Sequence, residues 1–269
     1  MSEPGIVLES VSVFHATKVV LDAISVTFAP QTTTVIIGPS GCGKSVLLKV
    51  AGGIVFPDRG RVSVNGKNVR TMSDRENQAF RLSNGFVFQD AALWANSTLL
   101  QNMILPLRYH FPRITDGDAT RRVRKILDRI GFKENLSLRP ADASAGERKI
   151  VSFVRALVTE PEVLFLDEPL AEIDHRVGER MLEVIREQKR AGRTILIVTH
   201  DPVLTSQVAD ELVVLQEGRI LERGPLSSVV RSTNADVETI LTRVLSQAST
   251  FDGSILDLLD SGDETEQTR

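Results

Sequence analysis

The eight residues from position 38 read Gly38-Pro39-Ser40-Gly41-Cys42-Gly43-Lys44-Ser45. They match the pattern G-x-x-x-x-G-K-[ST] of a phosphate-binding loop. Glycines allow the backbone to curl tightly, so that successive N–H groups point at a triphosphate. Lys44 is long enough to reach the β- and γ-phosphates, and the Ser45 hydroxyl is a suitable ligand for Mg²⁺. The motif therefore predicts a nucleotide site that extends from Gly38 to Val46.

The residues on either side of this loop favour that interpretation over its alternative, a Gly-rich turn before an ordinary helix. Thr33-Thr34-Val35-Ile36-Ile37 is a β-branched apolar run, which predicts a strand entering the loop. Residues 45–51 continue as a predicted helix, and its positive dipole end would face the anion.

Composition and charge exclude several classes of protein. A chain of 269 residues is long enough for one large domain or for a domain with an inserted lobe. Its 32 basic and 35 acidic residues leave a net charge of −3, which gives no electrostatic case for nucleic acid as a partner. The single cysteine, Cys42, excludes a disulfide framework. With no membrane-spanning run and no signal-peptide pattern, we expect a cytosolic chain that does not itself cross a membrane.

Strands dominate the first part of the predicted fold. Residues 6–13 and 25–28 have the composition of strands, and residues 85–88 form a buried strand candidate that ends at Gln89. Asn65-Gly66 lies between two short strand-like runs, which predicts a hairpin.

The pattern changes to a helical period from about residue 90 to 158. Apolar spacing predicts helices over 117–130 and 146–157, in a lobe inserted into an α/β core. Buried strands return at 163–166 and 194–198, with an amphipathic helix over 176–190 between them. From about residue 228 the chain reads as helical, with an acidic end over 257–266.

Two carboxylates, Asp167 and Glu168, follow the strand at 163–166. Asp167 can hold Mg²⁺ directly or through water, and Glu168 is placed to polarise a water for attack on the γ-phosphate. The alternative is an acidic helix N-cap after a strand. The phosphate loop upstream favours the catalytic interpretation.

The order of these motifs resembles that of the ATP-binding-cassette ATPases. The phosphate loop is followed by Gln89, by Asp167-Glu168-Pro169 and by Thr199-His200-Asp201, and the resemblance covers roughly residues 5–225. It implies an α/β fold: a P-loop NTPase core with a mixed sheet, an N-terminal antiparallel β subdomain and an inserted helical subdomain. It also implies that Gln89 contacts Mg²⁺ or the attacking water, that His200 contacts the γ-phosphate, and that ATP and Mg²⁺ are the cofactors.

The resemblance divides the chain into three parts. The nucleotide-binding core comprises residues 1–89 and 159–227, the helical subdomain comprises 90–158, and a C-terminal extension with an acidic tail comprises 228–269.

The signature segment of that family corresponds here to Ala143-Ser144-Ala145-Gly146-Glu147, which departs from the usual Leu-Ser-Gly-Gly-Gln at three of five positions. Ser144 and Gly146 remain, and they would face the γ-phosphate of a partner subunit. Glu147 either weakens closure of the dimer by its charge or caps the start of the helix. Asp174 matches the D-loop of the family, here residues 171–174.

An aromatic that stacks on adenine lies ahead of the phosphate loop in this family. His15 occupies that position by spacing and Phe14 is its neighbour, while the alternative is that an aromatic on this strand belongs to the core.

The segment after Gln89 suggests a partner. It contains the only tryptophan, Trp94, on a surface that would receive a transmembrane permease; the alternative is that Trp94 lies in the core of the lobe. Residues 88–93 and 106–108 look like the ATPase subunits of the Mla and Mce systems, which move phospholipids between envelope membranes. That resemblance implies a dimer of identical chains on the cytoplasmic face of the inner membrane, peripheral to it, with permease subunits and a lipid-binding Mce-type envelope subunit.

Two other functions remain open from the sequence. One is a cytosolic cassette ATPase that remodels proteins, of the cell-division or iron–sulfur assembly type. The other is a weakly active regulatory subunit, which the departures in the signature segment favour.

Overall fold

The computed structural model describes residues 5–246, so the acidic end predicted over 257–266 lies outside the described residues. The chain divides into two compact units. The first comprises the chain up to Arg70 and from Leu196 onward, and the second comprises Thr71–Ile195. The three-part division given above stays a prediction.

An antiparallel sheet begins the first unit. Its strands, in spatial order, are β2 (Lys18–Phe28), β1 (Ile6–His15), β4 (Arg59–Val64) and β5 (Lys67–Asn68). Ile6 pairs with both Phe28 and Val64, so β1 is an inner strand of this sheet, and the side chain of Ile6 is buried. The predicted hairpin is confirmed: Asn65 and Gly66 have φ angles of 49° and 77°, as a two-residue turn between twisted strands requires.

A second group of strands in the first unit carries the phosphate loop. β3 (Thr33–Ile37) runs parallel to β9 (Glu211–Gln216), and β10 (Arg219–Pro225) runs antiparallel to β9. Every residue of β3 is buried, as expected for its apolar β-branched sequence. The expected mixed sheet and the N-terminal antiparallel sheet are both confirmed.

The described part of the first unit also contains four α-helices: α1 (Lys44–Ala51), α7 (Pro202–Val208), α8 (Leu226–Val229) and α9 (Ala235–Ser246). The apolar side chains of α9 are buried at Val237, Ile240, Leu241 and Val244. The helical character predicted after residue 228 is therefore confirmed as far as Ser246, the last described residue.

The second unit is mainly helical. Its elements are α2 (Asp74–Ser83), β6 (Asn84–Val87), α3 (Leu99–His110), α4 (Asp116–Ile130), α5 (Ala145–Leu157), β7 (Val163–Asp167) and α6 (His175–Arg190). β6 runs parallel to β7, with Phe86 opposite Phe165. β8 (Thr194–Val198) crosses the boundary between the units.

The predicted helices over 117–130, 146–157 and 176–190 are confirmed to within one residue at each end. Helix α2 was not predicted, because its sequence is polar. Its start could have been found from Ser73 and Glu76, which form a reciprocal capping box.

Candidate nucleotide site

The phosphate loop connects β3 to α1 within the first unit. Gly41 and Gly43 have φ angles of 77° and 109°, in the left-handed region that side chains disfavour. A Cβ at Gly43 would lie 2.7 Å from the carbonyl oxygen of Val20, whereas a Cβ at Gly41 would meet nothing within 4 Å. Gly43 is therefore required by packing, and Gly41 leaves open space in which a phosphate could approach the backbone.

The side chain of Lys44 lies inside the loop. Its ammonium donates hydrogen bonds to the carbonyl oxygens of Gly38 (2.7 Å) and Pro39 (2.9 Å), and the residue is buried. A buried ammonium held by carbonyl groups is a strong site for an anion, because phosphate oxygens would complete its neutralisation. The loop therefore fits the phosphates of a nucleotide.

Cys42 lies in the same loop and is buried. Burial raises the pKa of its thiol, with the positive charge of Lys44 acting in the opposite direction. The residue is held as a neutral thiol that contributes its backbone to the loop.

His200 follows β8 in the first unit, beside the start of α7. Asp201 caps that helix by accepting hydrogen bonds from the N–H groups of Val203 and Leu204, and its own N–H donates to Thr199 Oγ1. Burial, and then the positive charge of Lys44, lower the pKa of His200. At neutral pH the imidazole is therefore uncharged and can donate one hydrogen bond to a phosphate oxygen.

The two candidates for adenine stacking lie at the end of β1. Phe14 and His15 are both exposed, so the alternative that they belong to the core is wrong. The ring of Phe14 already faces the guanidinium of Arg59, 5.5 Å from the ring centroid. Stacking on adenine stays a prediction for both rings.

In the second unit, the carboxylates follow β7 as predicted. Asp167 is the last residue of that strand and is buried. Glu168 has a φ angle of 49°, in a region that costs a non-glycine residue of order 1–3 kcal/mol. Strain of this kind is typical of residues that a functional site holds in place.

Gln89 follows β6, and its backbone is hydrogen-bonded to a side chain of helix α5. Lys149 of that helix is 2% exposed, and its ammonium donates to the carbonyl oxygens of Phe88 (3.1 Å) and Gln89 (2.5 Å). Burial lowers the pKa of Lys149, although Asp167, Glu168 and other nearby carboxylates act to raise it. Sequence reasoning missed Lys149; a cation on the apolar face of α5 was the available indication.

The segment after Gln89 places Trp94 on the surface. Trp94 is 63% exposed, so the alternative that it lies in the core is wrong. The buried amide of Asn102, which the sequence did not single out, fixes this loop: its oxygen accepts from Trp94 N–H, and its NH₂ group donates to the carbonyls of Trp94 and Thr98.

Trp94 borders an open groove of about 330 Å³ within the second unit, which we call the Trp94 groove. Its lining includes Phe86, Phe88, Pro106 and two arginines, Arg81 and Arg155. Among the described residues that line it, none is acidic.

The signature segment begins helix α5. Ser144 is the N-cap, its Oγ accepts from Glu147 N–H (3.2 Å), and a Glu147 carboxylate oxygen accepts from Ser144 N–H (2.6 Å). Of the two roles considered for Glu147, the capping role is the one that the structure shows. Gly146 is needed for a close approach, because a Cβ there would lie 2.6 Å from the carbonyl oxygen of Glu172 in the D-loop. Asp174 ends the D-loop as the N-cap of α6, accepting from Arg176 N–H.

Within residues 5–246, no group of three or more His, Cys, Asp or Glu side chains could hold a metal ion by itself. Ser45, Asp167 and Gln89 stay the predicted ligands of Mg²⁺, an ion usually held by few protein groups together with phosphates and water. None of the described helices is long and apolar enough to cross a membrane.

Most of this chain is similar in sequence to known proteins. It is 37% identical over 209 residues to the molybdate/tungstate import ATP-binding protein WtpC of Archaeoglobus fulgidus, which covers 77% of this chain and 83% of that protein. It is 34% identical over 216 residues to the lipoprotein-releasing system ATP-binding protein LolD of Bacteroides fragilis, covering 80% and 99%. Some other import ATP-binding proteins are longer, and the chain spans 64% of one and 56% of another.

A solved structure agrees with these relatives. The dimeric post-hydrolysis state of the ATP-binding cassette MJ0796, bound to ADP and Pi, matches with a TM-score of 0.75 and 25% identity over 82% of this chain and 98% of that one. Residues 21–171, more than half of the chain, match the family model described as ABC transporter. The chain therefore belongs to the ABC transporter family, in which it is an ATP-binding subunit that hydrolyses ATP.

Proposed function

We propose that this chain drives phospholipid transport between envelope membranes, as the ATPase subunit of a transporter. The observation that carries the proposal of a membrane partner is the Trp94 groove, in which an exposed aromatic borders an apolar and basic surface next to Gln89. A large exposed aromatic beside a groove is typical of a protein interface rather than of a solvated surface.

In the proposed reaction, each predicted site residue has a separate role. Lys44 and the backbone N–H groups of the phosphate loop bind the β- and γ-phosphates. Glu168 polarises the attacking water, and the neutral imidazole of His200 donates a hydrogen bond to the γ-phosphate.

Three residues are the proposed ligands of Mg²⁺: Ser45, Asp167 and Gln89. The ion, when bound, neutralises charge on the phosphates.

The active form is proposed to be a dimer of two identical chains. Ser144 and Gly146 would face the nucleotide of the second copy, with Asp174 beside them. The capping box keeps Ser144 N–H bonded to Glu147, so the signature helix is stable in spite of its departures from the family pattern. A stable helix start weighs against the weakly active regulatory subunit.

The Trp94 groove is the proposed docking site of a permease. Its aromatic rings would pack against an apolar helix end, and its arginines would donate hydrogen bonds to backbone carbonyls or a carboxylate of that partner. We place the chain on the cytoplasmic face of the inner membrane, as a peripheral subunit bound through this groove.

The cargo is proposed from the likeness of residues 88–93 and 106–108 to Mla and Mce ATPases. A second candidate is import of an oxyanion, which the 37% identity to a molybdate/tungstate import ATP-binding protein favours. Another relative, at 34% identity, belongs to a lipoprotein-releasing system.

Purification from native membranes in a mild detergent separates these functions. Recovery of a permease with a lipid-binding Mce-type subunit supports phospholipid transport. Recovery of a permease with an oxyanion-binding protein supports import instead. If the chain comes only with soluble proteins, the transport proposal is wrong and protein remodelling takes its place.

A further inference from the structure

Helix α5 holds the backbone around Gln89 through two cations. Lys149 donates to the carbonyl oxygens of Phe88 and Gln89, and Arg155 donates to those of Ala91 (2.7 Å) and Ala92 (2.8 Å). Four carbonyl groups within five consecutive residues are therefore bound to side chains of one helix. We call residues 88–92 the Gln89 segment.

The Gln89 segment has a conformation that its own sequence does not favour. Ala91 and Ala92 have φ angles of 61° and 46°, and both lie in the left-handed region. Each such residue costs of order 1–3 kcal/mol unless the surroundings impose it. Hydrogen bonds from a cation are among the stronger ones in proteins, and Arg155 makes them to the two strained residues. The segment is therefore held by α5 rather than by its local preference.

Burial makes these contacts costly to lose. Lys149 is 2% exposed, and an ammonium without partners at that depth would carry a large desolvation penalty. Its surroundings are acidic, since Asp90, Asp167, Glu168 and Glu172 all act on its charge. A side chain without a donor at this position would leave the carbonyls of Phe88 and Gln89 without the hydrogen bonds from Lys149.

We infer that Lys149 and Arg155 are positioning residues for ATP hydrolysis, which act through the backbone of the Gln89 segment and set where the Gln89 side chain lies. The inference rests on the proposed role of Gln89 at the metal or the attacking water. It adds that the signature segment and Gln89 are tied together, because Ser144 begins the same helix whose later turns carry Lys149 and Arg155.

Arg155 also connects the Gln89 segment to the proposed docking site. It lines the Trp94 groove while its guanidinium binds Ala91 and Ala92, and burial lowers its pKa to about 10. An occupant of the groove would therefore contact a residue that holds the Gln89 segment. This contact gives a direct physical route from the groove to Gln89.

A double-mutant cycle tests the inference on the full chain, with Mg-ATP turnover as the readout. Lys149→Met removes the charge but keeps a long apolar side chain. We expect kcat to fall by about tenfold to a hundredfold, as for a misplaced reacting group, with KM for ATP within about twofold. In the Gln89→Ala background, Lys149→Met should cause no further loss of kcat, because its effect passes through Gln89.

Two companion variants separate positioning from stability. Lys149→Arg keeps a cation and should recover most of the turnover, and Arg124→Met, which removes an exposed cation from α4, should change nothing. Arg155→Met provides a second test if Lys149→Met does not fold, and its loss of kcat should also vanish in the Gln89→Ala background.

Three results bear on the inference in different ways. Equal losses of kcat from Lys149→Met with and without Gln89 would overturn it. The inference would also be overturned if Lys149→Met lost turnover only because its free energy of unfolding is lower, and if Lys149→Arg did not recover turnover. Full turnover of Gln89→Ala alone would instead refute the proposed role of Gln89.

Discussion

Replacing Gly146 by alanine separates the packing role of this glycine from ordinary helix propensity. Gly146 lies in the first turn of α5, where a change from glycine to alanine would normally stabilise a helix by up to about 1 kcal/mol. The added Cβ would lie 2.6 Å from the carbonyl oxygen of Glu172, a backbone atom that cannot rotate away. Overpacking of this kind costs about 1–3 kcal/mol. We therefore expect Gly146→Ala to destabilise the chain by up to about 2 kcal/mol.

Gly117 provides a matched control in the same unit. It lies in the first turn of α4, and the nearest atom to an added Cβ would be Thr115 Oγ1 at 3.9 Å. Without a clash, Gly117→Ala should raise the free energy of unfolding by about 0.4–1 kcal/mol. The two substitutions are chemically identical, so opposite signs would isolate the contact with Glu172.

Equilibrium unfolding in urea measures both variants against the unmodified chain. The midpoint should move down for Gly146→Ala and up for Gly117→Ala, with unchanged slopes. If Gly146→Ala proves as stable as Gly117→Ala, the close approach of α5 to the D-loop is not as described. The packing argument for this glycine would then fail.

Three further predictions concern the nucleotide site. Lys44→Ala should weaken ATP binding by roughly tenfold or more, as expected for a lost charge-assisted contact, and unchanged affinity by calorimetry would remove the loop from the site. Glu168→Gln should bind ATP but lose almost all turnover, and full turnover would exclude Glu168 as the base. The lowered pKa of His200 means that the native chain binds fewer protons than the unfolded chain as pH falls through about 6.5. The free energy of unfolding should therefore fall from pH 7.5 to 5.5. It should fall less steeply in His200→Gln, and equal slopes against pH in the two proteins would contradict the prediction.

Much of the site could be predicted from the sequence because its residues carry local signals. Residues 38–45 form a contiguous motif, and Asp167 and Glu168 follow a buried strand whose apolar run is plain in the sequence. The helices over 117–130 and 146–157 follow from hydrophobic periodicity, which reports which face of an element is buried. These features need no knowledge of distant contacts.

The remaining features depend on contacts between residues far apart in the sequence. Lys149 binds the Gln89 backbone 60 residues away, and its place on the apolar face of α5 does not by itself identify the groups that its ammonium binds. The loop that carries Trp94 is held by Asn102, whose amide oxygen accepts a hydrogen bond from Trp94 N–H. Glu147 was ambiguous because its charge and its capping geometry predict different effects, and only the backbone of Ser144 decides between them.

The most direct test of the account is whether the Trp94 groove binds a membrane partner. The chain would be purified from native membranes as the unmodified protein, as Trp94→Ala and as Tyr109→Ala. Tyr109 is a suitable control because it is 57% exposed on α3 and is not among the described residues that line the groove. We predict that a permease comes with the unmodified chain and with Tyr109→Ala but is lost with Trp94→Ala, while all three isolated chains hydrolyse ATP equally. Equal recovery of a permease with Trp94→Ala, or recovery with none of the three, would contradict the account.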